Sequence, residues 1–90
     1  MGMICLSDLS PLMQRTIAKG ISFMVSQSGI ERYYNLYFAK HILGSGCKSV
    51  HLNYHQDDGQ VIQYADKEHP IIKFDSVDDV VEYVVSELIK

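Results

Sequence analysis

The C-terminal segment constrains the fold more than any other part of the chain. It begins after Asp75 or Ser76, either of which can cap a helix, and Asp78 and Asp79 fall in the first turn, where carboxylates stabilise a helix N-terminus. Its apolar residues recur with helical spacing rather than strict alternation. Because most of them are valines, which form helices poorly, this helix requires a sheet beneath it. The apolar residues of the segment are Val77, Val80, Val81, Val84, Val85, Leu88 and Ile89.

A β-hairpin signal supplies part of that sheet. Val50–Gln56 and Gln60–Ala65 are two runs typical of strands, and an Asp-Asp-Gly turn joins them. A two-residue loop would set Tyr54 opposite Gln63, whereas a three-residue loop with a left-handed glycine would set Tyr54 opposite Ile62. We prefer the second register because it gathers the apolar side chains on one face. That face comprises Val50, Leu52, Tyr54, Ile62 and Tyr64.

Two helices are predicted ahead of the hairpin. The first begins at Ser10-Pro11 and ends at Gly29, and its apolar residues keep helical spacing. The second runs from Ile30 to about Leu43. The stretch Tyr33–Phe38 is also typical of a strand, but capping signals at both ends favour a helix. The apolar stripe of the first helix comprises Leu12, Met13, Ile17, Ile21, Met24 and Val25.

These elements predict a single α+β domain over residues 1–90. Pro70–Phe74 reads as a third, edge strand, because proline suits the first residue of such a strand. The predicted order is therefore α-α-β-β-β-α, with a three-stranded antiparallel sheet in a two-layer fold and the helices packed on one face. A chain of 90 residues has room for one hydrophobic core.

From Ile30 onward, the predicted order of one helix, three strands and one helix is similar to that of a double-stranded RNA-binding domain. Those domains place lysines at the start of the final helix to hold phosphates. Here the same place carries Asp75, Asp78 and Asp79, and the net charge of the chain is −3. Both features oppose nucleic-acid binding. A degenerate domain of this kind is the alternative hypothesis, and it would use the basic residues Arg15, Lys19, Arg32, Lys40 and Lys48.

The sequence offers little that is typical of a metal site or an enzyme. His51 and His55 share a strand face, but a spacing of four residues in a strand is about 13 Å, too far to share an ion. Cys5 or Cys47 could meet His41 only through folding, and no local pattern supports a thiol nucleophile. We therefore expect no cofactor, no metal and no catalysis. Two free thiols and no long apolar run predict a cytoplasmic protein without a membrane span.

The predicted second helix is apolar around most of its circumference, so either the first helix or another chain must cover it. The leading hypothesis is a non-catalytic protein–protein interaction module, acting as a regulator, adaptor or inhibitor and as a homodimer. A phage or mobile-element inhibitor that mimics nucleic-acid charge fits this size and acidity. An acidic group would steer a partner with a basic surface, while aromatic side chains anchor it. The anchors are Tyr33, Tyr34, Tyr37 and Phe38, and the acidic group is Asp75, Asp78, Asp79 and Glu82.

Overall fold

The computed structural model describes residues 3–65, 67 and 70–89. Its five strands form one antiparallel sheet in the order β1-β2-β3-β4-β5, so each strand pairs with its neighbours in sequence. A single 3-10 turn, Leu6–Asp8, precedes the first helix. The elements are α1 (Leu9–Ala18), β1 (Ser22–Gln27), β2 (Tyr33–Ile42), β3 (Gly46–His55), β4 (Gln60–Gln63), β5 (Ile72–Phe74) and α2 (Val77–Leu88).

The predicted order α-α-β-β-β-α with a three-stranded sheet is wrong, because the chain forms a five-stranded sheet. The first helix stops at Ala18, and Gly20 follows with a φ of +79° that an α-helix cannot continue. Residues 22–27 are therefore strand β1 rather than the end of a helix. The predicted second helix is strand β2, in which Leu36 and Phe38 are buried while Tyr37 between them is not. That period of two outweighs the capping signals.

The apparent caps between the two predicted helices form the turn between β1 and β2. The Ser28 amide donates to the Tyr33 carbonyl at 3.0 Å, and the Ser28 hydroxyl accepts from the Ile30 amide at 3.0 Å. Arg32 has a φ of +67°, and its Nε donates to Asp57 Oδ1 at 2.6 Å. Serine and glycine serve tight turns and helix ends equally well, which is why the signal was misleading. The topological similarity to a double-stranded RNA-binding domain disappears with the second helix.

Neither hairpin register considered above is correct. Tyr54 lies opposite Val61, and Asn53 lies opposite Ile62. The loop is longer than predicted: Gly59 has a φ of +64°, and its N–H closes the loop by donating a hydrogen bond to the His55 carbonyl at 2.9 Å. A shift of one residue exchanges the two faces of a strand, so Val61 enters the core and Ile62 points the other way.

The predicted final helix is confirmed as α2, with the Ser76 hydroxyl accepting from the Asp79 amide at 3.2 Å. Both helices cover the same face of the sheet: α2 packs on β2, β3 and β5, while α1 packs on β1 and against α2. The buried phenol of Tyr54 donates to the Ile4 carbonyl at 2.7 Å and ties the N-terminal segment to the sheet. The core comprises Ile4, Leu9, Leu12, Ile21, Phe23, Leu36, Phe38, Leu52, Tyr54, Val61, Phe74, Val80, Val81, Val84 and Leu88.

The alternation of β2 predicts unequal effects for two adjacent truncations. Phe38 has no exposed surface and stacks on Phe23 with ring centroids 4.6 Å apart, so Phe38→Ala should lower the free energy of unfolding by about 3–5 kcal/mol. Tyr37→Ala should lower it by about 1 kcal/mol, because this ring stays partly in water. Urea titrations of both variants measure the difference. Equal losses would contradict the strand.

A second prediction concerns alkaline pH. Burial, and then the nearby Cys5 and Asp8, raise the pKa of the Tyr54 phenol above its ordinary value of 10.0. The folded chain therefore holds this proton more tightly than the unfolded chain, and stability should fall as pH rises above about 10. Tyr54→Phe should cost about 1 kcal/mol at neutral pH through the lost hydrogen bond. Urea midpoints from pH 8 to 11 should fall less steeply in this variant; an unchanged slope would contradict the prediction.

Candidate functional site

The face of the sheet opposite the helices is the candidate site, and we call it the open face. The ladder register aligns its side chains in rows, for example Met24, Tyr37 and His51 across β1, β2 and β3. None of the five strands contains an aspartate or a glutamate. The open face comprises Ser22, Met24, Ser26, Tyr33, Asn35, Tyr37, Ala39, His41, Cys47, Ser49, His51, Asn53, His55, Gln60, Ile62 and Lys73.

Two tyrosine–histidine pairs stand on the central strands of the open face. The rings of Tyr37 and His51 are 4.5 Å apart. The rings of Tyr33 and His55 lie 4.0 Å apart and nearly parallel, at 12°. Tyr64 joins the second pair, because its hydroxyl lies 2.8 Å from His55 Nε2. These contacts pair each tyrosine ring with the imidazole of the neighbouring strand.

A row of amides and a hydroxyl lies between these pairs. Asn53 Nδ2 donates to Asn35 Oδ1 at 2.8 Å, and Asn35 Nδ2 donates to Ser26 Oγ at 3.5 Å. Together with Tyr37 and His51, these side chains border a shallow hollow of about 360 Å³. Each amide still has donor or acceptor capacity beyond these bonds. The hollow can therefore hydrogen-bond a polar group, such as a peptide amide, beside the Tyr37–His51 pair.

A second hollow, of about 260 Å³, lies beside the end of β4 at Gln63, next to Ser49–His51 of the longer strand β3. His51 borders this hollow as well as the first, and Gln63, Tyr64 and Tyr83 also line it. The Gln63 side chain is buried, and its Oε1 accepts from the Tyr83 hydroxyl. Within the described part of the chain, Gln63 Nε2 has no hydrogen-bond partner. A buried unpaired N–H is costly. Because Val61 enters the core, Gln63 two residues later also faces the helices, next to Tyr83 of α2.

The four predicted anchors do not form one surface. Tyr33 and Tyr37 lie on the open face, but Tyr34 and Phe38 point to the helices, because neighbouring residues in a strand face opposite sides. Tyr34 packs on the Tyr54 ring at 6.0 Å. The sequence analysis missed the polar members of the site, Ser26, Asn35, His51 and Asn53 as a group. The alternation over residues 33–38, taken as a strand, was the signal that could have placed them.

The predicted acidic group lies on the other side of the molecule, at the start of α2. Asp78 forms an ion pair with Arg15 of α1. Asp79 and Glu82 border a hollow of about 390 Å³ together with Phe74 and Tyr83. Because α2 covers the face opposite Tyr33 and Tyr37, a flat partner surface can contact only one of the two groups.

The possible thiol nucleophile and the basic residues of the alternative hypothesis lie at different places in the fold. Cys47 lies opposite His41 near the end of the β2–β3 hairpin, both are exposed, and Cys47 Sγ donates to the Lys48 carbonyl at 3.5 Å. Lys40 lies opposite Lys48 on the helix side of the same hairpin. Arg15 and Arg32 are in ion pairs with Asp78 and Asp57. Across residues 3–65, 67 and 70–89, no group of three metal-ligating side chains is close enough to hold an ion.

No family model matches the sequence, and searches of the curated proteins and of the solved structures also find no match. Among the described residues, no helix combines the length and apolar character needed to cross a bilayer.

The His41–Cys47 pair yields a direct test of thiol chemistry. Both thiols are exposed, so both should be alkylated in the folded protein. The Cys47 thiol bonds to a carbonyl rather than to the imidazole, so His41→Ala should leave the alkylation rate of Cys47 unchanged within about twofold. Iodoacetamide labelling followed by mass spectrometry measures both rates, with Cys5 as the internal control. A rate at Cys47 that falls about tenfold in the variant would indicate an activated nucleophile.

Proposed function

We propose that this chain is a non-catalytic protein-binding module, acting as a regulator, adaptor or inhibitor, that recognises its partner through the open face. One observation carries the proposal: among the described residues, no helix covers this face of the five-stranded sheet, which presents Tyr33, Tyr37 and His51 with no carboxylate on any of the five strands. Tyrosine brings a large contact area with little loss of side-chain entropy, and its hydroxyl suits the rim of an interface.

The polar part of the open face suits a polypeptide. The hollow bordered by Asn35 and Asn53 supplies amide donors and acceptors, which are the groups that pair with peptide backbones and side-chain amides. No carboxylate is among the residues that border this hollow, so a neutral or acidic partner segment meets no like charge from its lining.

The open face is less suited to stacking nucleic-acid bases than to binding a polypeptide. Proteins that stack nucleic-acid bases present free aromatic ring faces beside cationic side chains. The rings of Tyr33 and Tyr37 are already paired with His55 and His51. Lys73 is the single lysine or arginine among the open-face residues, which is too little charge to neutralise a phosphate backbone.

A second candidate function, nucleic-acid binding, rests on a different observation. Lys40 and Lys48 lie directly opposite each other, and like charges in that position destabilise a hairpin. No ion pair of the described residues includes either lysine. A bound phosphate would relieve their repulsion. Retention on a nucleic-acid column that falls steeply with salt, and that is lost in a Lys40→Gln, Lys48→Gln double variant, would favour this function.

The proposed function predicts that Tyr37→Glu folds but loses its partner. A carboxylate at this half-buried position leaves the core intact and places a charge in the centre of the open face. Affinity capture from host extract, quantified by mass spectrometry, should recover a specific protein with wild type and at least about tenfold less of it with Tyr37→Glu. Circular dichroism verifies that the variant is folded.

Two matched variants complete this experiment. Tyr37→Phe keeps the ring and should retain most of the partner. Glu82→Lys reverses a charge on α2, on the opposite side of the molecule, and should leave capture unchanged. Loss of the partner in Glu82→Lys but not in Tyr37→Glu would overturn the open-face proposal and assign recognition to the acidic group.

A further inference from the structure

The two edges of the sheet differ in how well they are protected. β5 has three residues, includes Lys73 and follows Pro70 closely, and each of these features discourages pairing with another chain. β1 has six residues, pairs only with β2, and contains neither a charge nor a proline. The uncharged stretch extends over residues 20–30. A long, uncharged edge strand of this kind is a template for strand addition.

The backbone of β1 directs half of its hydrogen-bonding groups outward. The Ser28 amide bonds to the Tyr33 carbonyl, and bonded positions alternate along an antiparallel ladder. Ser22, Met24 and Ser26 therefore bond to β2, which leaves the N–H and C=O groups of alternate residues at the edge. The residues with outward backbone groups are Phe23, Val25 and Gln27.

Apolar side chains line this edge on both layers of the fold. Met24 is 61% exposed on the open face, and Val25 is 38% exposed on the helix side. In α1, Met13 and Ile17 are 36% and 56% exposed. Successive helix residues are rotated by about 100°, so Met13 and Ile17 project from the flank opposite Arg15. Arg15 pairs with Asp78 of α2, so its flank of α1 faces α2. The flank that carries Met13 and Ile17 therefore faces away from α2, toward the free edge of β1.

We propose that a second copy of this chain pairs with the β1 edge, strand to strand and antiparallel, so that two five-stranded sheets join into one. The homodimer leaves the open face of each copy free and joins the two into a continuous surface. This inference adds an assembly to the proposed function and stands whether or not the open face binds a protein.

A second copy of this chain is the partner that fits the β1 edge best. Two antiparallel copies can be related by a two-fold axis that passes between the two Met24 residues or between the two Val25 residues. Either register places side chains of the same face opposite each other. In either register the two α1 helices lie on the same side of the joined sheet, so the exposed Met13 and Ile17 of the two copies approach. Because β1 carries no charged residue, pairing two copies buries no unpaired charge. For the same reason, β1 offers nothing to attract a charged partner.

The test is the mass of the full chain in solution, with variants at the edge. Sedimentation or light scattering should show twice 10.2 kDa at about 100 μM chain. Val25→Pro removes an outward N–H without breaking a bond to β2 and should weaken dimerisation at least about tenfold. Val25→Thr keeps the amide and a β-branched side chain, and it should stay dimeric. Amides of Phe23, Val25 and Gln27 in wild type should exchange more slowly as concentration rises.

Two further variants separate dimerisation from folding and from partner capture. Ile17→Lys leaves β1 intact and should also weaken the dimer, which covers the case in which Val25→Pro does not fold. Tyr37→Glu should remain a dimer, so loss of partner capture in that variant is separate from loss of assembly. A monomeric wild type, a dimer that Val25→Pro leaves intact, or edge amides that exchange at the same rate at all concentrations would each overturn the proposal. So would one foreign strand bound per chain in place of a second copy.

Discussion

The main constraint on this fold is that a five-stranded sheet has two faces, whereas the described chain has only two α-helices to cover them. Both helices pack on the same face, because Leu36, Phe38, Leu52 and Tyr54 form one continuous apolar surface that must be removed from water. The opposite face must therefore carry side chains that tolerate water. Its amides, hydroxyls, tyrosines and histidines satisfy that requirement and also supply the binding groups of the candidate site.

The distribution of charge follows the same constraint. None of the five strands contains an aspartate or a glutamate. Asp78 and Asp79 lie in the first turn of α2, where they stabilise the helix N-terminus, and Asp78 pairs with Arg15. The molecule thus has an acidic side formed by α2, whereas the strands of the open face carry no carboxylate and Asp58 approaches that face only from the β3–β4 turn, 3.7 Å from His55 Nδ1. That separation is why the aromatic and acidic residues, considered as one interface from the sequence, belong to two different surfaces.

About half of the fold could be predicted from the sequence. The final helix, the existence of the β3–β4 hairpin and the edge strand ending at Phe74 depend on local signals, namely a Ser76 cap, an Asp-Asp-Gly turn and a proline. The candidate site was predicted in part: Tyr33 and Tyr37 lie on it, but its polar residues come from three strands, two of which were taken as helices. No local signal brings Ser26, Asn35 and Asn53 into one row.

The sequence by itself determined where the last helix begins, that a hairpin turns at Asp57–Gly59, and which segments are apolar. Tertiary structure decided that residues 22–27 and 33–42 are strands, because their apolar residues are buried only when the segments pair with each other and with β3. It also decided the hairpin register, which pairs Tyr54 with Val61 so that both are buried in the core. Helix signals act over a few neighbouring residues, whereas strand pairing joins residues distant in sequence, and only the folded chain reveals which pairing buries the most apolar surface.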